Sequence, residues 1–234
     1  MAYTTIPKSS DYFNTKLYTG NGSSQALTGV GHQTDMVWIK SRTDTRKHNL
    51  YDVVRGVQKR IVPNDSVAED TVPGVTAFGT DGFTVGSETD TNGSARNFVG
   101  WSWKANGAGS ANTDGSISST VSASATSGFS IVSYTATGST ATIGHGLGSI
   151  PKMMIIKNTT SNSTWAVYNA SLGTGKFLRL QGTDAVGTEA NWFDTTPTSS
   201  VFTVGSNLPS GATIAYCFAD VQGFSKFGSY TGNG

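Results

Sequence analysis

The sequence predicts an all-β protein made of two tandem modules, and three observations carry that reading. Short runs rich in Val, Ile, Thr, Phe and Trp are bounded by Gly, Asn, Asp and Ser, which is the pattern of strands separated by tight turns. No 11-residue window shows an apolar stripe at helical spacing, so a short helical turn within residues 53–61 or 64–70 is the most the chain supports. The third observation is an internal repeat: Met36-Val37-Trp38-Ile39-Lys40 returns as Met153-Met154-Ile155-Ile156-Lys157, about 117 positions later, and Phe83-Thr84-Val85-Gly86 as Phe202-Thr203-Val204-Gly205. Modules repeated in this way build surfaces more often than single catalytic pockets.

Taken in order, residues 1–12 precede the repeat and read as an N-terminal arm. Residues 13–104 form the first module, which ends on Val99, Trp101 and Trp103 with Phe98, Gly100 and Ser102 between them. Large residues on every second position are the period of a strand. One heavy face and one light face suit a strand with one side in a core and the other closely packed or partly wet. Residues 105–128 are Ala, Gly, Ser, Asn and Thr with Asp114 as the one strong charge, and read as a linker that leaves the modules free to move. Within it, 116–122 is the stretch able to pair as an edge strand. Residues 129–223 form the second module, where Ile214, Tyr216 and Phe218 match Val99, Trp101 and Trp103. Residues 224–234 read either as its last strand or as the opening of a truncated third module, because Ser229-Tyr230-Thr231-Gly232-Asn233-Gly234 echoes Leu17-Tyr18-Thr19-Gly20-Asn21-Gly22.

Composition narrows the function. Gly is abundant at 29, and charged residues make up 13% against a usual value of about a quarter. The net charge of +1 gives no general electrostatic basis for nucleic-acid binding. No stretch approaches the 18 or so apolar residues of a membrane span, and residues 1–11 show no basic-then-apolar leader. The single cysteine, Cys217, excludes an intramolecular disulfide and reads as a small buried filler. Charge is uneven in one place, where Lys40, Arg42, Arg46, Lys47 and Arg55 stand with Lys59 and Arg60 against only Asp44 and Asp52. That run reads as a solvated loop whose charges discourage edge pairing, or as a contact patch for an acidic partner or anionic glycan.

Catalytic chemistry is not supported. His32, His48 and His145 have no metal-ligand spacing, and Gly144-His145-Gly146-Leu147-Gly148 is followed by Pro151 and a strand where a phosphate loop needs a helix start. Asp90-Thr91-Asn92-Gly93 and Asn112-Thr113-Asp114-Gly115 offer oxygen ligands but also read as hairpin turns. Carboxylates at Asp65, Glu69, Asp70, Asp81, Glu88 and Asp90 show no pairing by spacing, and no nucleophile motif is present. No enzyme activity, cofactor or metal is expected. What remains is aromatic: Trp165 and Tyr168, and Trp192-Phe193 between Asn191 and Asp194, read as core packing or as faces on which a sugar ring stacks.

The phrases Lys16-Leu17-Tyr18-Thr19-Gly20-Asn21-Gly22, Asp81-Gly82-Phe83-Thr84-Val85-Gly86, Trp101-Ser102-Trp103-Lys104-Ala105 and Asn112-Thr113-Asp114-Gly115-Ser116-Ile117 resemble a family of repeat modules in virion proteins of marine tailed bacteriophages. The terminal phrase Gly223-Phe224-Ser225-Lys226-Phe227-Gly228-Ser229-Tyr230-Thr231-Gly232-Asn233-Gly234 belongs to the same resemblance. It implies lectin-like or jelly-roll β-sandwich modules on a virus particle and does not fix the location on it. The unmatched arm, the linker and the downstream echo add the expectation of a non-enzymatic virion protein, a tail-fibre or tail-associated component that docks through its N-terminal part. The partners it implies are other virion proteins and further copies of the chain, a trimer being favoured. A capsid decoration or a host-glycan adhesin is the alternative. The protein would be assembled in the host cytoplasm and act on the extracellular particle. The second module departs from the first phrase at Ala136-Thr137.

Overall fold

The runs that recur in the two halves form strands, and they pair in the same order. A computed structural model describes residues 3–189, 192–193 and 195–233. The first half contributes β1 (Phe13–Thr19), β2 (Gln25–Thr28), β3 (Met36–Ser41), β4 (Asn49–Asp52), β5 (Lys59–Arg60), β6 (Asp70–Thr71), β7 (Val75–Gly79), β8 (Gly82–Val85) and β9 (Asn97–Trp103). The second contributes β10 (Ser110–Asn112), β11 (Ser119–Ser124), β12 (Phe129–Ala136), β13 (Ala141–Gly144), β14 (Met153–Asn158), β15 (Ala166–Asn169), β16 (Lys176–Arg179), β17 (Gly187–Thr188), β18 (Val201–Val204) and β19 (Gly211–Phe218). Among the described residues helix is confined to single turns at Ser9–Asp11 and Thr89–Asn92, not at 53–61 or 64–70. The chain is thus predominantly β, with several antiparallel sheets.

Strand order β1-β9-β3-β4 in the first half recurs as β12-β19-β14-β15 in the second, where β10-β11 and β16-β17 extend the sheet to eight strands. Each half also has a smaller sheet, β2-β8-β7 and β13-β18. The small sheets cover one face of the large ones. Leu27, Phe83 and Val85 pack with Tyr18, Val37, Ile39 and Phe98 in the first half, and Ile143, Phe202 and Val204 with Tyr134, Met154, Ile156 and Cys217 in the second.

Both faces of β9 and β19 are packed, which is the first of the two expected arrangements, one side in a core and the other closely packed. The light face lies inside its own module: a Cβ at Gly100 would come within 2.9 Å of the Phe83 ring, so the aromatic takes the space and the strand position stays small. The heavy faces meet each other. Met36, Leu50 and Ile61 of the first half share one buried cluster with Ile131, Trp165, Ile214, Tyr216 and Phe218 of the second, and Trp103 packs against it. The result is four β layers enclosing three apolar cores.

Two further features hold the halves together. Residues 105–128 do not form a free linker, since β10 and β11 add to the second sheet and Val121 enters its core. A stretch poor in large apolar groups is held by its backbone ladder and by hydroxyls that find partners, as when the buried Ser119 donates to the Gly144 carbonyl at 3.1 Å. The strap 62–69 lies on the second module: the Glu69 N–H donates to the Thr159 carbonyl, the Ser163 N–H to that of Ser66, and the Ala68 N–H to Asn162 Oδ1. The modules are joined by a shared core and by backbone hydrogen bonds, contrary to the free movement expected of a linker.

Of the expected arm, Met1 and Ala2 lie outside the described residues. The remainder lies against the C-terminal segment: Ile6 is buried, and Tyr12 meets Phe224 edge-on at 6.3 Å. The echo of β1 near the C-terminus forms no strand over its described residues, and Tyr230 is 93% exposed.

Candidate functional site

The convergence of the arm, the shared core and the C-terminal segment leaves an apolar cleft at the boundary between the modules, with a volume of about 360 Å³. A row of rings crosses it. Phe13 packs on Trp103 at 4.9 Å, Trp103 on Phe129 at 6.3 Å, Phe129 on Phe218 at 5.0 Å, and Phe218 on Phe227 at 5.7 Å. β9 and β19 position two of these rings because their heavy faces point to the boundary. Ser9, Ser127 and Ser225 supply hydroxyls to the lining, which contains no carboxylate or ammonium group. Such a site can exclude water and grip an apolar group. Sequence reading saw β9 and β19 as heavy-faced strands without anticipating that the faces would meet; the signal was the conservation of that alternation between the two repeats.

Beneath the cleft, the boundary carries one buried polar junction. The Arg55 guanidinium donates to Asp52 Oδ2 at 2.6 Å through Nε, and through Nη1 to Glu69 Oε2 at 2.9 Å and the Lys59 carbonyl at 2.8 Å. From the other module the Tyr216 hydroxyl donates to Asp52 Oδ2 at 2.6 Å. Burial works against the Arg55 charge, yet Asp52, Tyr216 and Glu69 hold the guanidinium protonated more firmly than usual. Burial also pushes the Tyr216 hydroxyl far above its ordinary range.

The basic run is not brought together as a patch. Arg55 is in the junction just described, and Arg46 pairs with Asp44 at 3.1 Å and Asp90 at 3.2 Å. Lys40 donates to the Ser41 carbonyl at 3.0 Å, a bond repeated by its counterpart Lys157 to the Asn158 carbonyl at 2.7 Å, which marks it as part of the module scaffold. Arg42 and Lys47 stand exposed. The balancing carboxylates Glu69, Asp70, Glu88 and Asp90 come from a distant stretch of chain, and Arg60 binds Asp70 through two nitrogens.

Neither tryptophan singled out for sugar stacking has an open face. Trp165 is fully buried, its indole N–H shared between the carbonyls of Val62 at 3.0 Å and Asp65 at 2.9 Å. Trp192 stacks on Phe177 at 5.2 Å with 9% of its surface exposed. Its neighbours Asn191 and Asp194 lie outside the described residues. Both rings serve the core, as in the alternative reading of each.

The histidines are tied into turns. His32 bridges the Ser10 carbonyl and Ser102 Oγ, and His145 links the Thr198 carbonyl to the Leu147 N–H; burial lowers the pKa of each. Burial pushes the Cys217 thiol up to about 12, so it is held as a thiol at neutral pH, as a filler requires. Among the described residues no three His, Cys, Asp or Glu side chains are placed to hold a metal ion, and no helix is long and apolar enough to cross a membrane.

Lys157 carries a buried charge. Its ammonium donates to the carbonyls of Asn158 and Ser161 and to Ser163 Oγ, without an ion pair among the described residues. Burial brings its pKa down to about 8, with Asp65 pulling weakly the other way, against 10.5 for a free lysine. From about pH 8 upward the unfolded chain therefore binds the extra proton, so stability rises with pH. Cys217 opposes this above about pH 9, where the unfolded thiol ionises and the folded one does not. The free energy of unfolding, followed by urea titration, is expected to increase between about pH 8 and 9 and to lose that slope in Lys157→Met.

Residues 8–234 match the model of a family described as a domain of unknown function (DUF7483). No curated protein and no solved structure matches the chain.

Proposed function

The chain belongs to the DUF7483 family, and from that premise we propose that it is a non-enzymatic structural component of a tailed-bacteriophage particle, built from two tandem lectin-like β-sandwich modules. It acts at the tail or its fibres and docks to neighbouring virion proteins through the pole that carries its N-terminal segment. The observation that carries this reading is the ring-lined cleft between the modules, flanked by Tyr12 on the N-terminal side and by Phe224 and Phe227 on the C-terminal side. An apolar, uncharged site at the meeting of the two terminal segments suits the grip of a protein side chain, and the resemblance of the repeated phrases to virion modules supplies the setting. The burial of Trp165 and Trp192 weighs against the host-glycan reading.

Mass spectrometry and cryo-electron microscopy of purified particles test the proposal. Density for this chain at the tail, with the Tyr12 pole against another protein, is the expected result. Density spread over the capsid lattice replaces it with the decoration reading, and absence from the particle overturns both.

A further inference from the structure

The two halves differ at one sheet edge. In the second module the first of the four repeated strands, β12, has its outer edge covered by β11, in register from Ser119 opposite Tyr134 to Ser124 opposite Phe129. Its counterpart β1 pairs with β9 on one side and with no strand on the other among the described residues. The phase of the ladder shows which groups are left over. The Lys104 N–H donates to the Tyr12 carbonyl and the Gly20 N–H to the Arg96 carbonyl, so even positions of β1 turn their amides toward β9. Phe13, Thr15, Leu17 and Thr19 turn theirs outward. Asn14 Oδ1 takes the Thr15 N–H at 2.8 Å, while the amides of Leu17 and Thr19 have no protein partner among the described residues.

The side chains agree with an unfinished edge. Leu17 is 57% exposed on this edge strand. β1 has seven residues in unbroken register, without proline, bulge or an outward-facing charge, and so lacks the devices that keep edges apart. Its one ammonium, Lys16, is on the opposite face and tied to the Thr28 carbonyl at 2.6 Å.

We propose that β1 pairs with the β1 of a second copy of this chain, antiparallel across a two-fold axis at Leu17, joining the two four-stranded sheets into one of eight. In β12 the strand that closes the equivalent edge comes from this chain, so strand addition is already how the fold finishes that side. A two-fold contact uses the same edge twice and closes, leaving no further copy to recruit. The register follows from the pairing rules. Outward-facing positions hydrogen-bond only to outward-facing positions, and centring the axis on Lys16 would set two ammonium groups opposite each other. Centring it on Leu17 covers the exposed leucine with its twin, sets Thr15 against Thr19 and places Lys16 beside Tyr18. This inference does not depend on the virion reading.

The test compares wild type with Leu17→Pro and Leu17→Lys by sedimentation equilibrium over a wide concentration range, with circular dichroism for the fold. Proline at an outward-facing edge position removes an N–H that β9 does not use, so the module is expected to survive while strand addition is blocked. Leu17→Lys places like charges across the axis without constraining the backbone. The expected result is a wild-type mass of twice 24.4 kDa and a mass of 24.4 kDa for the folded variants. A wild type that stays monomeric, or a dimer or trimer that persists in the folded variants, overturns the proposal.

Discussion

Arg55→Met is expected to lower the free energy of unfolding by about 3–5 kcal/mol, because it leaves the buried Asp52 carboxylate without its cation. The Arg55 side chain is 6% exposed and that of Asp52 fully buried, so water does little to screen the loss. The carboxylate keeps the Tyr216 hydroxyl and the Arg55 backbone N–H but loses the 2.6 Å charge-assisted bond. Glu69 is left with Lys59 at 3.7 Å, which is partly in solvent and contributes little. The effect should reach both modules at once, since Tyr216 belongs to the second and Asp52 to the first. Urea titration read by tryptophan fluorescence measures it. The triple replacement Asp52→Leu, Arg55→Met and Tyr216→Phe should recover most of the loss, because an apolar junction needs no pairing. A loss below about 1 kcal/mol for the single variant would mean the junction is wet and the two sheets are not held there.

The legible part of the fold was the part that repeats. β3 and β14, β8 and β18, and β9 and β19 are β-branched or aromatic runs that recur in the two halves, and local propensity, periodicity and self-similarity all point to the same strands. What could not be read was which face of a strand meets what. The alternation Val99, Trp101, Trp103 identifies a strand with two unlike faces, but its heavy side turned outward to the neighbouring module because Phe83 already fills the space over Gly100. Within residues 105–128 the stretch 116–122 was the part able to pair, and β11 at Ser119–Ser124 does so; its pairing to β12 depends on an edge made elsewhere in the chain, which a stretch poor in large apolar groups does not announce.

The same limit governs the site. Seven cations between Lys40 and Arg60 suggested a patch because only Asp44 and Asp52 stand within that window, while further carboxylate partners lie beyond it at Glu69, Asp70, Glu88 and Asp90. The helical turn at Thr89–Asn92, itself capped by Glu88, is what brings Asp90 to Arg46 and Arg60. Charge counted along the chain says little about a surface when pairing is set by tertiary structure. The aromatic cleft has the opposite history: Trp103 and Phe218 were visible as strand residues, and only the stacking of the two halves placed them in one row with Phe129.

Trp165→Ala should cost about 3–5 kcal/mol, the range for truncating a fully buried large side chain with partial collapse of the cavity left behind. The ring does two jobs at the boundary. Its carbon surface fills the shared core beside Leu50, Ile61 and Val167, and its N–H satisfies two carbonyls of the strap 62–69. Trp165→Phe separates them: most of the apolar surface stays, while the Val62 and Asp65 carbonyls lose their donor, so a loss of about 1–3 kcal/mol is expected. Hydrogen exchange supplies a second readout, because amides that bridge strap and module, those of Glu69 and Ser163, should lose protection in both variants before strands in the first module's own core. A Trp165→Ala variant of unchanged stability would require an exposed ring, and would return Trp165 to the sugar-stacking role that its burial denies it.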